Sequence, residues 1–172
     1  MCSANPAATR RRRRHTGPVL VLAACATLFA AAPAPVAASE ALNERIVHDP
    51  YTGLALGGYD PVAYFTDGVA VVGSARHEVV WDGGYWRFAN IGNAAAFADA
   101  PAVYAPLFGG HCVTSLARGV LQAGDPTRFT IHASRLMFFA TAGDAATFAA
   151  APDAVLRQAL ERWPALAATL SR

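Results

Sequence analysis

The chain has 172 residues, 54% of them hydrophobic and 15% charged, with 14 Lys+Arg against 12 Asp+Glu for a net charge of +2. The basic sign comes from five arginines at 10–14; without them nine arginines face twelve acidic residues, a net charge of −3. This composition does not encode a general basic surface, so no nucleic-acid partner is expected.

The arginine run is followed by an apolar stretch at 19–32 and small residues ending in Val36-Ala37-Ala38, the layout of an export signal. Residues 1–38 read as a signal peptide cleaved after Ala38, 39–55 as an N-terminal extension and 56–170 as the folded domain. The remaining chain of about 134 residues suits one domain and can bury a core without cross-links. The apolar stretch falls short of the roughly 20 residues of a spanning helix, and no later segment is continuously apolar over that length. No transmembrane helix is therefore expected after leader removal, and the expected location is periplasmic or secreted. Leu22-Ala23-Ala24-Cys25 also fits a lipoprotein cleavage box, which would leave a lipid anchor on Cys25. Against it, the run stays apolar through Phe29, as in the middle of a signal. The arginines permit twin-arginine export, but the apolar residue and lysine that usually follow the pair are missing.

The segment Gly58-Tyr59-Asp60-Pro61-Val62-Ala63-Tyr64-Phe65 opens the domain. Asp60, and later Asp125, stand beside prolines and glycines and read as turn formers rather than catalytic acids. A hairpin is predicted next, 77–81 and 85–88 around Asp82-Gly83-Gly84, because Asp-Gly between β-favouring runs is a strong hairpin signal. Asn90-x-x-Asn93 then enters a short helix that ends near Pro101, since the residue before proline is pushed out of the helical region. The pattern returns at an offset of 51 residues: strands at 129–132 and 135–140 around the weaker turn Ala133-Ser134, then a helix capped by Thr141-x-x-Asp144 and ending near Pro152. Phe88, Gly92, Phe97 and Pro101 coincide with Phe139, Gly143, Phe148 and Pro152, and Phe97 and Phe148 are expected to face the sheet. Alanine identities are discounted because alanine is abundant throughout. The last segment, 153–170, carries Leu156, Leu160, Trp163, Ala167 and Leu170 at a helical spacing that predicts one buried face, with Pro164 kinking or restarting the helix. The expected fold is α+β: a small antiparallel sheet built from two strand-strand-helix units, with a C-terminal helix. The repeat reads as duplicated architecture rather than as two binding sites.

Between the units runs a glycine-rich connection, 104–125, with a short helix or strand at 113–116. Loops of this kind on a rigid scaffold are where function usually sits. It contains Pro106-Leu107-Phe108-Gly109-Gly110-His111-Cys112. Cys2 and Cys25 belong to the leader, so Cys112 has no disulfide partner, which is unusual in an oxidising compartment. It reads either as an inert core cysteine or as a reactive or metal-binding thiol whose pKa a helix N-terminus, cation or imidazolium must lower. Gly109 and Gly110 would let backbone and ligand come close. His111 is adjacent, but neighbouring side chains in a strand point to opposite faces, so His132 is the preferred imidazole partner and His77 the next. Cys112, His111 and His132, with Met137 as a thioether, would suit a soft transition metal, copper above all. Each histidine also fits as a packing or solvated residue, and Met137 as core. No serine-centred triad, phosphate loop or paired-carboxylate spacing is recognisable.

Taken together, Gly58 to Phe65, Gly73-Ser74, the 85–97 helix entry, Pro101-x-x-Tyr104-x-Pro106, Gly109-Gly110-x-Cys112, Gly124-Asp125-Pro126 and Trp163-Pro164 resemble the exported branch of the YHS-domain family. The resemblance spans most of the chain beyond the leader, and it implies a fold and a compartment more than an activity. The wider family includes short cysteine-rich modules attached to copper-transporting ATPases and other metal-handling proteins. The cysteines of that pattern fall here on Ala63, Ala89 and Asn93, so a closed thiolate site with about four ligands is not expected. In some relatives the position of Cys112 is a selenocysteine, which implies a reactive chalcogen. The resulting expectation is an exported small-ligand or soft-metal binding module centred on Cys112, with a thiol-dependent redox enzyme or a non-catalytic interaction scaffold as alternatives. Cys112 should then lie in a partly exposed pocket beside the Gly109-Gly110 turn, with His132, His77 or His111 within reach of its sulfur.

Overall fold

The computed structural model describes residues 45–170; the export signal, the cleavage after Ala38 and the alternative lipid site at Cys25 lie outside the described residues. After a 3-10 turn at Leu56–Gly58 come α1 (Ala63–Thr66), β1 (Ser74–Trp81), β2 (Gly84–Phe88), α2 (Ile91–Asp99) and α3 (Pro101–Tyr104). Then follow α4 (Val113–Ala117), β3 (Asp125–His132), β4 (Arg135–Phe139), α5 (Ala142–Ala150) and α6 (Pro152–Ala167). The fold is α+β, and its strands form two antiparallel two-stranded sheets, β1-β2 and β3-β4.

Turn chemistry sets both hairpins. Asp82 (φ 46°) and Gly83 (φ 83°) are left-handed, as a two-residue loop matching the strand twist requires. Ala133 (φ 48°) and Ser134 (φ 57°) take the same conformation without glycine, which explains the weaker signal there. Each hairpin also carries the same irregularity, between the pairs Ser74↔Phe88 and Glu78↔Arg87 in one and between Asp125↔Phe139 and Phe129↔Phe138 in the other. Asn90 caps α2 by accepting from Asn93 N at 2.9 Å, and Thr141 and Asp144 form a reciprocal capping box on α5. Pro101 and Pro152 end one helix and open the next, in first-turn positions where the missing N–H is not needed. Phe97 packs on Trp86 and Phe88, and Phe148 on Phe139.

The duplication runs further back than the sequence pattern indicates. Gly73 N donates to Gly58 O and Gly124 N to Gly110 O, both at 2.9 Å; Asp60 N donates to Val71 O and Cys112 N to Gln122 O, both at 2.8 Å. Ala55 N to Tyr85 O and Leu107 N to Leu136 O are a further matched pair at 2.9 Å. An extra residue in the first copy, between Asp60 and Val71, makes the offset upstream of it 52 rather than 51, which hides the match in an ungapped comparison. α1 and α4 are therefore counterparts, and Cys112 stands where the first half has Asp60.

One core gathers Tyr64, Trp86, Phe88, Phe97 and Phe138, and a second gathers Phe108, Leu116, Met137, Phe139 and Phe148. Tyr64 ties the halves together: its hydroxyl donates to Pro126 O at 2.9 Å and its ring meets Phe129 edge-on at 4.6 Å. Burial pushes the Tyr64 phenol up from its ordinary pKa. Residues 45–55, expected to be an extension, pack into the domain instead. Ile46 is buried in the first core, His48 bridges to Ala55, and Val47 N donates to Gly109 O at 2.7 Å.

The terminal helix buries its expected face except at one position: Ala167 is buried and Leu156 and Trp163 pack against the second core. α6 passes through Pro164 without restarting, and its buried residues are Val155, Ala159 and Ala167. Leu160, placed on the buried face by its spacing, is 47% exposed. Val155 and Ala159 share the second core with Leu116 and Ala117 of α4, so small side chains that allow close approach set the rotation of the helix. Among the described residues no helix is long and apolar enough to cross a membrane.

Candidate functional site

Gly109 (φ 63°) and Gly110 (φ 98°) turn the connection into the second half. A Cβ on Gly109 would stand 1.8 Å from the Arg45 carbonyl oxygen, and one on Gly110 3.2 Å from Val47 Cβ. The missing side chains admit the strap 45–47, so what these glycines bring close is backbone from the chain's own N-terminal segment.

Cys112 follows directly and is fully buried, at 0% exposure, with a free thiol. The partly exposed pocket expected for it is corrected by its place in the fold. Its N–H is bonded to Gln122 O and it bridges Phe138 of β4, so the residue lies between two segments inside the domain. No hydrogen bond to its sulfur is formed among the described residues. His111 is buried as well, with its ring 5.7 Å from Trp163. His132, at the end of β3, is bound elsewhere: its Nε2 lies 2.9 Å from Asp153 Oδ1 and its ring meets Phe148 edge-on. His77 belongs to β1 in the first half, and Met137 is sealed in the second core. Among the described residues no three His, Cys, Asp or Glu side chains converge as ligands, so a multi-ligand copper or zinc site does not fit them.

Asp60, the counterpart of Cys112, holds the first half together. One carboxylate oxygen accepts from Val62 N at 2.8 Å and Ala63 N at 3.3 Å, the other from Ala89 N at 2.8 Å and Asn93 Nδ2 at 2.7 Å. In the second half the carboxylate has moved to Asp144, the counterpart of Asn93, where it accepts from Thr141 Oγ1 at 2.7 Å and Arg118 Nη2 at 3.1 Å. Burial works to raise the Asp144 carboxyl, but the bonds from Thr141 and Arg118 outweigh it and hold the group below the ordinary carboxylate range. Thr114 reaches the same residue by donating to Asp144 O at 2.9 Å.

A cavity of about 260 Å³ opens against the Gly109 turn, and its walls come from both halves. The strap contributes Arg45 and Ile46, the β1-β2 turn Trp81 and Asp82, and the segment around α3 Ala102, Ala105, Pro106 and Leu107. Arg135 of β4 and Trp163 of α6 complete it. Both indoles are held by neighbours: Trp81 edge-on to Trp86 and Phe97 at 5.7 Å, Trp163 edge-on to Phe108 at 5.6 Å. The Arg135 Nε is buried without a hydrogen-bond partner. Among the described residues neither Arg45 nor Arg135 forms an ion pair, whereas Arg87, Arg118 and Arg128 do. Of the residues singled out from the sequence for the site, this cavity touches Gly109 alone. Arg135 carried one signal that could have marked it: it stands where the first copy has Gly84, one of the largest changes between the two hairpins.

The equivalent place in the second half is different. Asp153, Leu156 and Arg157, counterparts of Ala102, Ala105 and Pro106, line an open groove of about 390 Å³ with Leu160 and Glu161. His132, the counterpart of Trp81, is tied there to Asp153. Comparison with protein-family models, with curated proteins and with solved structures finds no match for this chain.

Proposed function

We propose that this protein is an exported, YHS-like small-ligand binding module whose site is the cavity at the Gly109 turn rather than the Cys112 thiol. The observation that carries this reading is Arg135, which lines the cavity, forms no ion pair among the described residues and has its Nε buried without a hydrogen-bond partner. Leaving such a donor unsatisfied costs on the order of 1–3 kcal/mol or more, and a ligand oxygen that the guanidinium turns to meet would offset that cost. The two indoles and the apolar segment around α3 supply walls of the kind small-molecule sites use around a few convergent polar groups. A volume of about 260 Å³ lies below the roughly 300–1,000 Å³ of drug-sized sites, so the occupant is small. Thiol chemistry has less support, because a thiolate must be reachable to attack or to bind a metal, and Cys112 is sealed.

A fragment screen followed by NMR tests the reading. Binding fragments should shift the indole N–H signals of Trp81 and Trp163, and Ala102→Trp, an exposed position that can grow into the cavity, should abolish those shifts. Fragments that leave both indoles unmoved, or shifts that persist in Ala102→Trp, would place any binding elsewhere and sink the reading.

A further inference from the structure

Resting on that reading, we infer that the ligand is a small organic monocarboxylate with a flat apolar body, its carboxylate held by Arg135 and Arg45 and its body lying against Trp81 and Trp163. The charge around the cavity runs against that of the rest of the domain. Beyond the leader the chain carries a net charge of −3, yet the cavity is lined by two arginines and one carboxylate, Asp82. Both guanidiniums lack an acidic partner among the described residues, so a cationic occupant would add repulsion and a neutral oxygen would make a weaker bond than the charge-assisted one an anion makes. Arginine's planar fork matches a carboxylate with two parallel hydrogen bonds, which a bare surface charge does not offer.

The rest of the lining selects among anions. Apart from the two arginines and Asp82, no charged side chain among the described residues lines the cavity, and no serine or threonine does. A phosphate or dicarboxylate would bring a second negative charge toward Asp82, in a lining that is mostly apolar apart from the two arginines. A monocarboxylate uses the guanidiniums and leaves its body to the indoles. The counterpart groove along α6 has the opposite balance, with Arg157 facing Asp153 and Glu161, so the preference belongs to one half only.

Isothermal titration of the full chain with benzoate, phenylacetate and indole-3-acetate, each beside its primary amide, and with inorganic phosphate, tests the inference. At least one carboxylate should bind tenfold or more tightly than its amide, with an affinity that falls as sodium chloride is raised. Arg135→Gln should weaken that binding tenfold or more without lowering the Tm of the unliganded protein, because the arginine makes no bond that folding needs. Arg45→Gln, on a different segment, should weaken it as well and covers the case in which Arg135→Gln folds poorly. Amides that bind as tightly as acids, with both lost in Ala102→Trp, would overturn the carboxylate while leaving the cavity reading standing. Phosphate binding as tightly as the aromatic acids would overturn the apolar body, and no binding by any of the three carboxylates would overturn the inference outright.

Discussion

In the first half of the domain the helix after the proline is short, α3 ending at Tyr104, and the chain then crosses through Pro106 and Leu107 toward the second half. In the second half the matching helix continues as α6 over 16 residues and leaves an open groove beside it. The two hairpins, caps and turns are otherwise laid out alike. What encloses the cavity on the first half is material from outside its own copy: Arg135 and Trp163 from the second half, and the strap 45–47 from before the repeat. A duplicated scaffold here acquires a site from what its partner copy and flanking chain lay over it, while the repeated unit stays nearly constant.

The glycine turns give the largest expected contrast between the halves. Gly57 and Gly109 are counterparts with φ of 58° and 63°, but a Cβ on Gly57 meets nothing within 4 Å, whereas one on Gly109 collides with the Arg45 carbonyl. Gly57→Ala should cost about 1–2 kcal/mol for its left-handed backbone alone. Gly109→Ala should cost about 3 kcal/mol or more, because the strap must also move. Urea denaturation of the two variants measures the difference, and equal costs would mean that the strap does not press on the second turn.

The counterpart pair Asp60 and Cys112 gives the next contrast. With the sulfur buried, Cys112→Ser places a hydroxyl where no partner is provided and should cost about 1–3 kcal/mol, more than an exposed thiol site would lose. Iodoacetamide should label Cys112 only after unfolding, and labelling of the native protein at the rate of a free thiol would restore the open-site reading.

Asn93 and Asp144 should separate in their response to pH. The folded Asp144 carboxyl titrates below its ordinary value, so its contribution is complete above the unfolded pKa of about 3.9 and is lost as pH falls through the lower folded one. Asp144→Asn should therefore lower stability at neutral pH by about 1 kcal/mol and flatten the acid side of the stability profile. Asn93→Ala should lower stability without changing that slope, as thermal melts from pH 7 to pH 2 would reveal.

The smallest effect concerns the two hairpin turns. Ser134 holds at φ 57° the conformation that Gly83 holds in the first copy. Ser134→Gly should stabilise by about 1 kcal/mol or less, and Gly83→Ser should destabilise by a similar amount. A loss on Ser134→Gly would show that the serine makes a contribution its backbone does not explain.

Short-range chemistry was legible in the residues themselves. Asp82-Gly83 specified a hairpin, Thr141-x-x-Asp144 a helix start, and Pro101 and Pro152 the helix boundaries, because each acts on backbone within a few positions. Phe97 and Phe148 announced the duplication, while one extra residue upstream concealed that it extends through Asp60 and Cys112. On α6 Leu160 alone was placed on the wrong side, because Ala159 and Val155, which face α4, give a weaker spacing signal than a leucine that faces outward. Gly109 and Gly110 suggested an open approach to Cys112, and only the packed chain reveals that Arg45 and Val47 fill the space those glycines leave. The cavity had no local signature, since Arg45, Trp81, Leu107, Arg135 and Trp163 are distant in the chain and meet only when the halves close on each other. Turns, caps and periodic apolar positions are encoded by neighbours along the chain. Enclosure, burial of a thiol and the isolation of a guanidinium depend on which segments tertiary packing brings together.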